Sequence, residues 1–155
     1  MKNSLLACLL AIAPMLACAN EGKEVQVAEG RFAAQVRAVE KSLSDGQTYA
    51  ELPRADRNEV RAILARMAER LEGVDDVGQL SEADRLAVFN DQERVNAILE
   101  KGYADSRLVC ERRGRTGTHM RESKCQTVAE RRRRAEVDQE NMRQLQRAPM
   151  PQEGL

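Results

Sequence analysis

Apolar positions recur at intervals of three and four along most of the chain, the spacing of one face of an α-helix. Val25, Phe32, Val36, Val39 and Leu43 predict a first helix over 24–43, with Gly30 a weak point after which it can instead begin. Ser44-Asp45-Gly46 ends it, and Tyr49 and Leu52 in the following linker are expected to pack that turn onto the helices. Val60, Ile63, Leu64, Met67 and Leu71 form the cleanest stripe, over 54–72. Pro53 leads into it and Gly73 closes it.

Val74 to Leu80 reads as a connector. Asp75, Asp76 and Gly78 lack the alternating ligands of a calcium loop, so a solvated turn is expected. A third helix starts at Ser81, with Asp84 placed as a capping acid, and runs to about Lys101, where Gly102 is expected to stop it. Its apolar side is Leu86, Phe89, Val95, Ile98 and Leu99, interrupted by the polar run Asn90-Asp91-Gln92-Glu93, an exposed face or a local break. A last helix begins at Thr127, which forms a T-x-x-E capping box with Glu130, and reaches about Arg147. Its apolar content is thin, chiefly Val128, Ala135, Met142 and Leu145, and its four consecutive arginines, Arg131 to Arg134, point all round. At least one must lie along the packed side, where it can pair with an acid of the body.

The opening segment is different. Lys2 precedes an apolar run from Leu5 to Leu16, and Ala17-Cys18-Ala19 gives an A-x-A site before Asn20, the pattern of a secretory signal over 1–19. About twelve apolar residues fall short of the roughly 18 needed to span a bilayer, so no transmembrane span is expected after its removal. Met15-Leu16-Ala17-Cys18 also resembles a degenerate lipoprotein box, which makes lipidation of Cys18 the alternative to cleavage after Ala19.

Either route leaves Cys110 and Cys125, an even remainder that in an exported chain reads as a disulfide. If the two face each other across antiparallel strands, opposed residue numbers sum to 235. Gly117 and Thr118 then occupy the centre of a two-residue turn, with glycine where a type II′ turn requires it. The same register opposes Glu111 to Lys124 and Arg113 to Glu122. A strict two-residue turn makes Cys110–Cys125 a hydrogen-bonded pair with Cα atoms about 5.5 Å apart. The closer, non-hydrogen-bonded pairing and a bulge at Gly114 are the alternatives. Leu108, Val109 and Val128 are expected to anchor the hairpin base while the tip projects.

The stretches Asp105-Ser106-Arg107-Leu108-Val109-Cys110, Thr116-Gly117-Thr118-His119 and Cys125-Gln126-Thr127-Val128-Ala129-Glu130 resemble a segment of small exported bacterial proteins of unknown function. That resemblance covers under a fifth of the chain. It implies an exported, disulfide-bearing protein and carries no activity with it.

Charge changes the picture along the chain. Residues 20–100 hold 11 Lys/Arg against 17 Asp/Glu, whereas 101–134 hold 11 against 4. Intramolecular neutralisation of the basic segment by the acidic body is the first expectation. The candidate binding residues are Arg112, Arg113, Arg115, His119 and Arg121 on the hairpin and Arg131, Arg132, Arg133 and Arg134 after it. With two Phe, two Tyr and no Trp, the chain lacks the stacking aromatics that grip nucleic acid, and export also disfavours that partner. His119 is the sole histidine, so a His119 acid–base site with Asp91 or Glu93 lacks a nucleophile, and no metal site or cofactor is expected.

The expected fold is mainly α: an antiparallel bundle of three to four helices over 20–147, with a disulfide-closed two-stranded hairpin at 107–128 and a disordered tail at 148–155. The expected role is non-enzymatic, contact with a protein partner or an anionic envelope surface through the hairpin. Nucleic-acid binding and a His/carboxylate enzyme are the alternatives. Patterning leaves the oligomeric state open.

Overall fold

The computed structural model describes residues 24–29, 31–114 and 121–147. The signal segment with Cys18, Gly30, the turn at Gly117-Thr118, Arg115, His119 and the tail lie outside the described residues. Four helices, α1 (Phe32–Ser44), α2 (Arg54–Arg70), α3 (Glu82–Ser106) and α4 (Val128–Arg147), are joined with a hairpin of β1 (Leu108–Gly114) and β2 (Arg121–Thr127). The mainly helical class, with the hairpin inserted before the last helix, is the one expected.

The core lies where α1, α2 and α3 meet. Val39 and Leu43, then Val60, Ile63, Leu64 and Met67, then Val88, Val95, Ile98 and Leu99 are all buried, so the α2 stripe behaves as its spacing predicts. Tyr49 and Leu52, in the connector between α1 and α2, are buried against the helices, as expected. Arg57 holds that connector in place, donating to the Tyr49 carbonyl at 2.7 Å and the Leu52 carbonyl at 3.1 Å. Leu86 does not join the apolar side of α3: it is exposed, and Val88 is buried in its stead.

The details of the helices have physical reasons. The first helix takes the alternative start after Gly30, at Phe32, and not the one at residue 24. The segment before it runs along α3, where the Asn96 amide accepts from Val25 N–H at 2.8 Å and donates to the Val25 carbonyl at 2.9 Å. Gln92, one turn earlier, accepts from Val27 N–H at 2.8 Å. These two amides, with Gln35 bonding the Gln26 N–H and carbonyl at 2.7 and 2.9 Å, satisfy backbone groups that an α-helix would otherwise satisfy, and Val25 and Val27 enter the core, Val27 at the start of a single 3-10 turn over Val27–Glu29.

Contrary to expectation, Gly102 does not stop α3. The helix continues to Ser106. A Cβ at Gly102 would stand 2.8 Å from Leu52 Cδ1, so the missing side chain permits close approach instead of termination. Asn90 to Glu93 lie within unbroken helix, where Arg66 clasps Asp91 with bonds of 2.6 and 2.9 Å and Arg70 adds one of 3.3 Å.

The hairpin register is the derived one: Cys110 opposes Cys125, Glu111 opposes Lys124 and Arg113 opposes Glu122, without interruption to Gly114–Arg121. The ladder alternates in the opposite phase, however. Val128 N–H donates to the Arg107 carbonyl at 3.0 Å, and three steps further the disulfide joins Cys110 and Cys125 with Cα atoms 4.0 Å apart. That spacing belongs to the close, non-hydrogen-bonded pairing. A strict two-residue turn requires the other phase, and no bulge falls at Gly114.

Candidate interaction site: the stapled hairpin and the last helix

Among the described residues, the hydrogen bonds that tie the hairpin and α4 to the body sit at their common base. Thr127 caps α4 reciprocally with Glu130: the Thr127 hydroxyl accepts from Glu130 N–H and the Glu130 carboxylate accepts from Thr127 N–H, both at 3.0 Å. The predicted capping box is therefore formed. The same Thr127 hydroxyl donates to Glu51 at 2.7 Å, while Glu51 N–H donates to the Ser106 hydroxyl at 2.9 Å. Ser106, Thr127 and Ala129 are buried there. Leu108 takes no part in the anchor and is 64% exposed, because it lies on the solvent side with the cysteines, whereas Val109 faces α4.

Arginines 131 to 133 are spent within the molecule. Arg133 meets Glu51 at 2.9 Å, Arg132 forks onto Asp105 at 2.9 and 3.1 Å, and Arg131 reaches Glu111 at 3.3 Å. The Arg133 and Thr127 hydrogen bonds hold the Glu51 carboxyl below its ordinary range, and the Arg132 fork does the same for Asp105. The expected neutralisation by the acidic body therefore takes place only through Glu51, whereas Asp105 and Glu111, which pair with Arg132 and Arg131, lie within the basic segment itself. Neither Glu51 nor Asp105 stood out in the sequence, since isolated acids carry no periodic signal; Asp105 had only its position beside the hairpin to mark it.

The two faces of the hairpin differ. Cys110, Cys125, Arg112 and Ser123 are exposed on one side, in line with Leu108. The other side faces α4 across a cleft of about 230 Å³, between Val109, Lys124 and Gln126 on one wall and Arg134, Ala135 and Asp138 on the other. Arg113 and Arg121 occupy their register positions in β1 and β2. Beyond its first turn α4 is exposed throughout.

Of the candidate acid–base set, only the two carboxylates fall among the described residues. Asp91 is held between Arg66 and Arg70, Glu93 is exposed on α3, and His119 lies outside the described residues. Among the described residues no group of three or more His, Cys, Asp or Glu side chains is placed to hold a metal ion. No helix among them is long and apolar enough to cross a membrane. The disulfide suits an oxidising, extracytoplasmic environment.

No known family matches the chain, and neither the curated proteins nor the solved structures contain a match.

Proposed function

We propose that this is an exported, non-enzymatic binding protein that presents its stapled hairpin to an anionic surface of the cell envelope, a partner protein or the membrane face. One observation carries the reading. The disulfide holds a regular ladder whose solvent side displays Arg112 beside the exposed cystine, while Arg131, Arg132 and Arg133 are neutralised within the molecule. The candidate arginines exposed outside these pairs are therefore Arg112 on the hairpin and Arg134 on α4. The signal pattern at 1–19 and the resemblance of the hairpin segment to small exported bacterial proteins support the compartment.

The test replaces Arg112, Arg113, Arg115 and Arg121 by Gln together. Crosslinking in the native envelope and co-sedimentation with phosphatidylglycerol vesicles are then compared with the unaltered protein. Loss of both, or of one, names the surface. Equal capture by the two proteins, with the disulfide intact in each, removes the hairpin from the account.

A further inference from the structure

The cystine lies open to solvent. Cys110 and Cys125 are both exposed, and so are their neighbours on the same side of the ladder, Leu108 at 64%, Arg112 and Ser123. A bond so placed is within reach of an external thiolate, and exposed disulfides are the labile ones.

The charges beside the bond favour such an attack. Successive strand residues alternate faces, so Glu111 and Lys124, adjacent to the cysteines in sequence, line the side that faces α4, where Glu111 meets Arg131. Glu130, past the base, accepts from Thr127 N–H. Arg112 and, farther out, Arg121 hold register positions on the cysteine side. The exposed Arg112 stands two positions from Cys110, about 7 Å along the strand, where its guanidinium stabilises both an arriving and a departing thiolate. Leu108, two positions the other way, offers an approaching protein apolar surface to cover.

What the bond holds is separable from the core. The buried apolar cluster contains no hairpin residue, and the ties at the base run through Thr127, Glu51 and Ser106. Cutting the bond therefore frees the ladder beyond the base and leaves the helices in place.

We infer that Cys110–Cys125 is a thiol–disulfide exchange site, opened by a dithiol protein of the exported compartment. One thiolate of that partner attacks Sγ of Cys125. The electron pair of the S–S bond passes to Sγ of Cys110, which leaves as a thiolate beside Arg112. The partner's second thiolate then attacks the partner sulfur of the mixed disulfide and releases Cys125. The partner ends as a disulfide and this chain as a dithiol, the two cysteines taking up the two protons that the partner's thiols gave up. The inference rests on the disulfide and its exposure, not on the binding reading.

Purified protein with the bond closed is treated with dithiothreitol at neutral pH, folded and then unfolded in urea. The folded rate is expected within about tenfold of the unfolded one. Arg112→Glu should slow the folded reaction roughly tenfold, and Arg112→Lys should restore it. Thioredoxin whose second active-site cysteine is replaced by Ser should be captured as a mixed disulfide on Cys125. The amides of α1 to α3 should stay protected after reduction. A folded rate below that range, an unchanged rate in Arg112→Glu, absence of the thioredoxin adduct or loss of protection in α1 to α3 each overturns the inference. These readouts use the purified chain, so they stand whether or not the hairpin captures an envelope surface.

Discussion

Thr127 donates its hydroxyl hydrogen bond to Glu51 at 2.7 Å, across 76 positions of sequence, while also capping α4. One side chain therefore starts the last helix and ties it to the connector between α1 and α2. Thr127→Val removes the cap and leaves a carboxylate oxygen of Glu51 without that donor, at an expected cost of about 1–2 kcal/mol. The loss should concentrate in α4. Amide exchange in Val128 to Arg131 should quicken while the α2 amides keep their protection. A uniform change across all helices would show that Thr127 acts on the whole fold instead.

Gly102 and Leu52 make the tightest backbone approach to a core side chain recorded for the described glycines. Gly102→Ala gains helix propensity of about 1 kcal/mol in principle. Here the added methyl meets Leu52 Cδ1 at 2.8 Å and Leu52 Cβ at 3.3 Å, and overpacking of that kind costs about 1–3 kcal/mol. Leu52 is buried, so its side chain has little room to yield. The single variant should unfold at lower urea, and Gly102→Ala combined with Leu52→Ala should be less destabilised than the two single effects added together. Strict additivity would show that the two positions do not press on each other.

Asn96 is expected to matter more than an amide on a helix surface usually does. It bonds both the N–H and the carbonyl of Val25, whose side chain is fully buried. Asn96→Leu strands both backbone groups at a partly buried site, costing about 1–3 kcal/mol. Exchange of the Val25 and Val27 amides should rise together, because only Gln92 at Val27 and the exposed Gln35 at Gln26 then hold the segment. Retained protection at Val25 would mean that burial of the valines suffices without the amide.

These boundaries explain how far sequence patterning reached. The α2 stripe, the T-x-x-E cap and the hairpin register depend on local periodicity or on one covalent pair, and all three were legible. What escaped notice depends on contacts made at long range. Val25 fits a helical stripe as well as it fits an extended segment, and nothing local tells that Gln92 and Asn96 will take its backbone. Gly102 reads as a stop unless Leu52, fifty positions earlier, is known to lie against it. Charge balance was visible as a whole, but the choice of Glu51 and Asp105 as the acids for Arg133 and Arg132 follows only from where the connector and the end of α3 meet. Of the candidate binding residues, Arg131, Arg132 and Arg133 proved to be engaged within the molecule, whereas Arg112 and Arg134 stand exposed.

The same two carboxylates set a pH dependence for the base of the arm. Glu51 is held below its ordinary 4.5 by Arg133 and Thr127, with Asp105 nearby opposing. Asp105 is held below 3.8 chiefly by Arg132, with Lys101 and Arg133 assisting. A carboxyl whose folded pKa is depressed contributes stability that is complete above its unfolded pKa and is lost as pH falls through the folded one. Attachment of α4 should therefore be insensitive to pH from neutrality to about 5 and should weaken progressively below about 4. In Glu51→Gln and Asp105→Asn that acid-side loss should shrink, read as α4 amide protection or ellipticity against pH. A loss centred near pH 6 would assign the effect to other groups.

Reduction of the Cys110–Cys125 bond should act on the hairpin far more than on the helical core. The bond closes 16 residues, a loop whose closure entropy is worth about 3 kcal/mol. Beyond the base, the described cysteine-side residues Cys110, Arg112, Ser123 and Cys125 are exposed, so little apolar burial replaces the link once it is cut. A Cys110→Ser/Cys125→Ser variant should keep the cooperative unfolding of α1 to α3, whose core contains no hairpin residue. Strand amides from Val109 to Arg112 should lose roughly a hundredfold of their exchange protection, the equivalent of that loop term. The intact protein should carry both cysteines as a disulfide, two hydrogens lighter than the dithiol and resistant to alkylation before reduction. Free thiols in protein recovered from the producing cells would undo the stapled-hairpin reading, because an unlinked two-stranded ribbon is marginal in water.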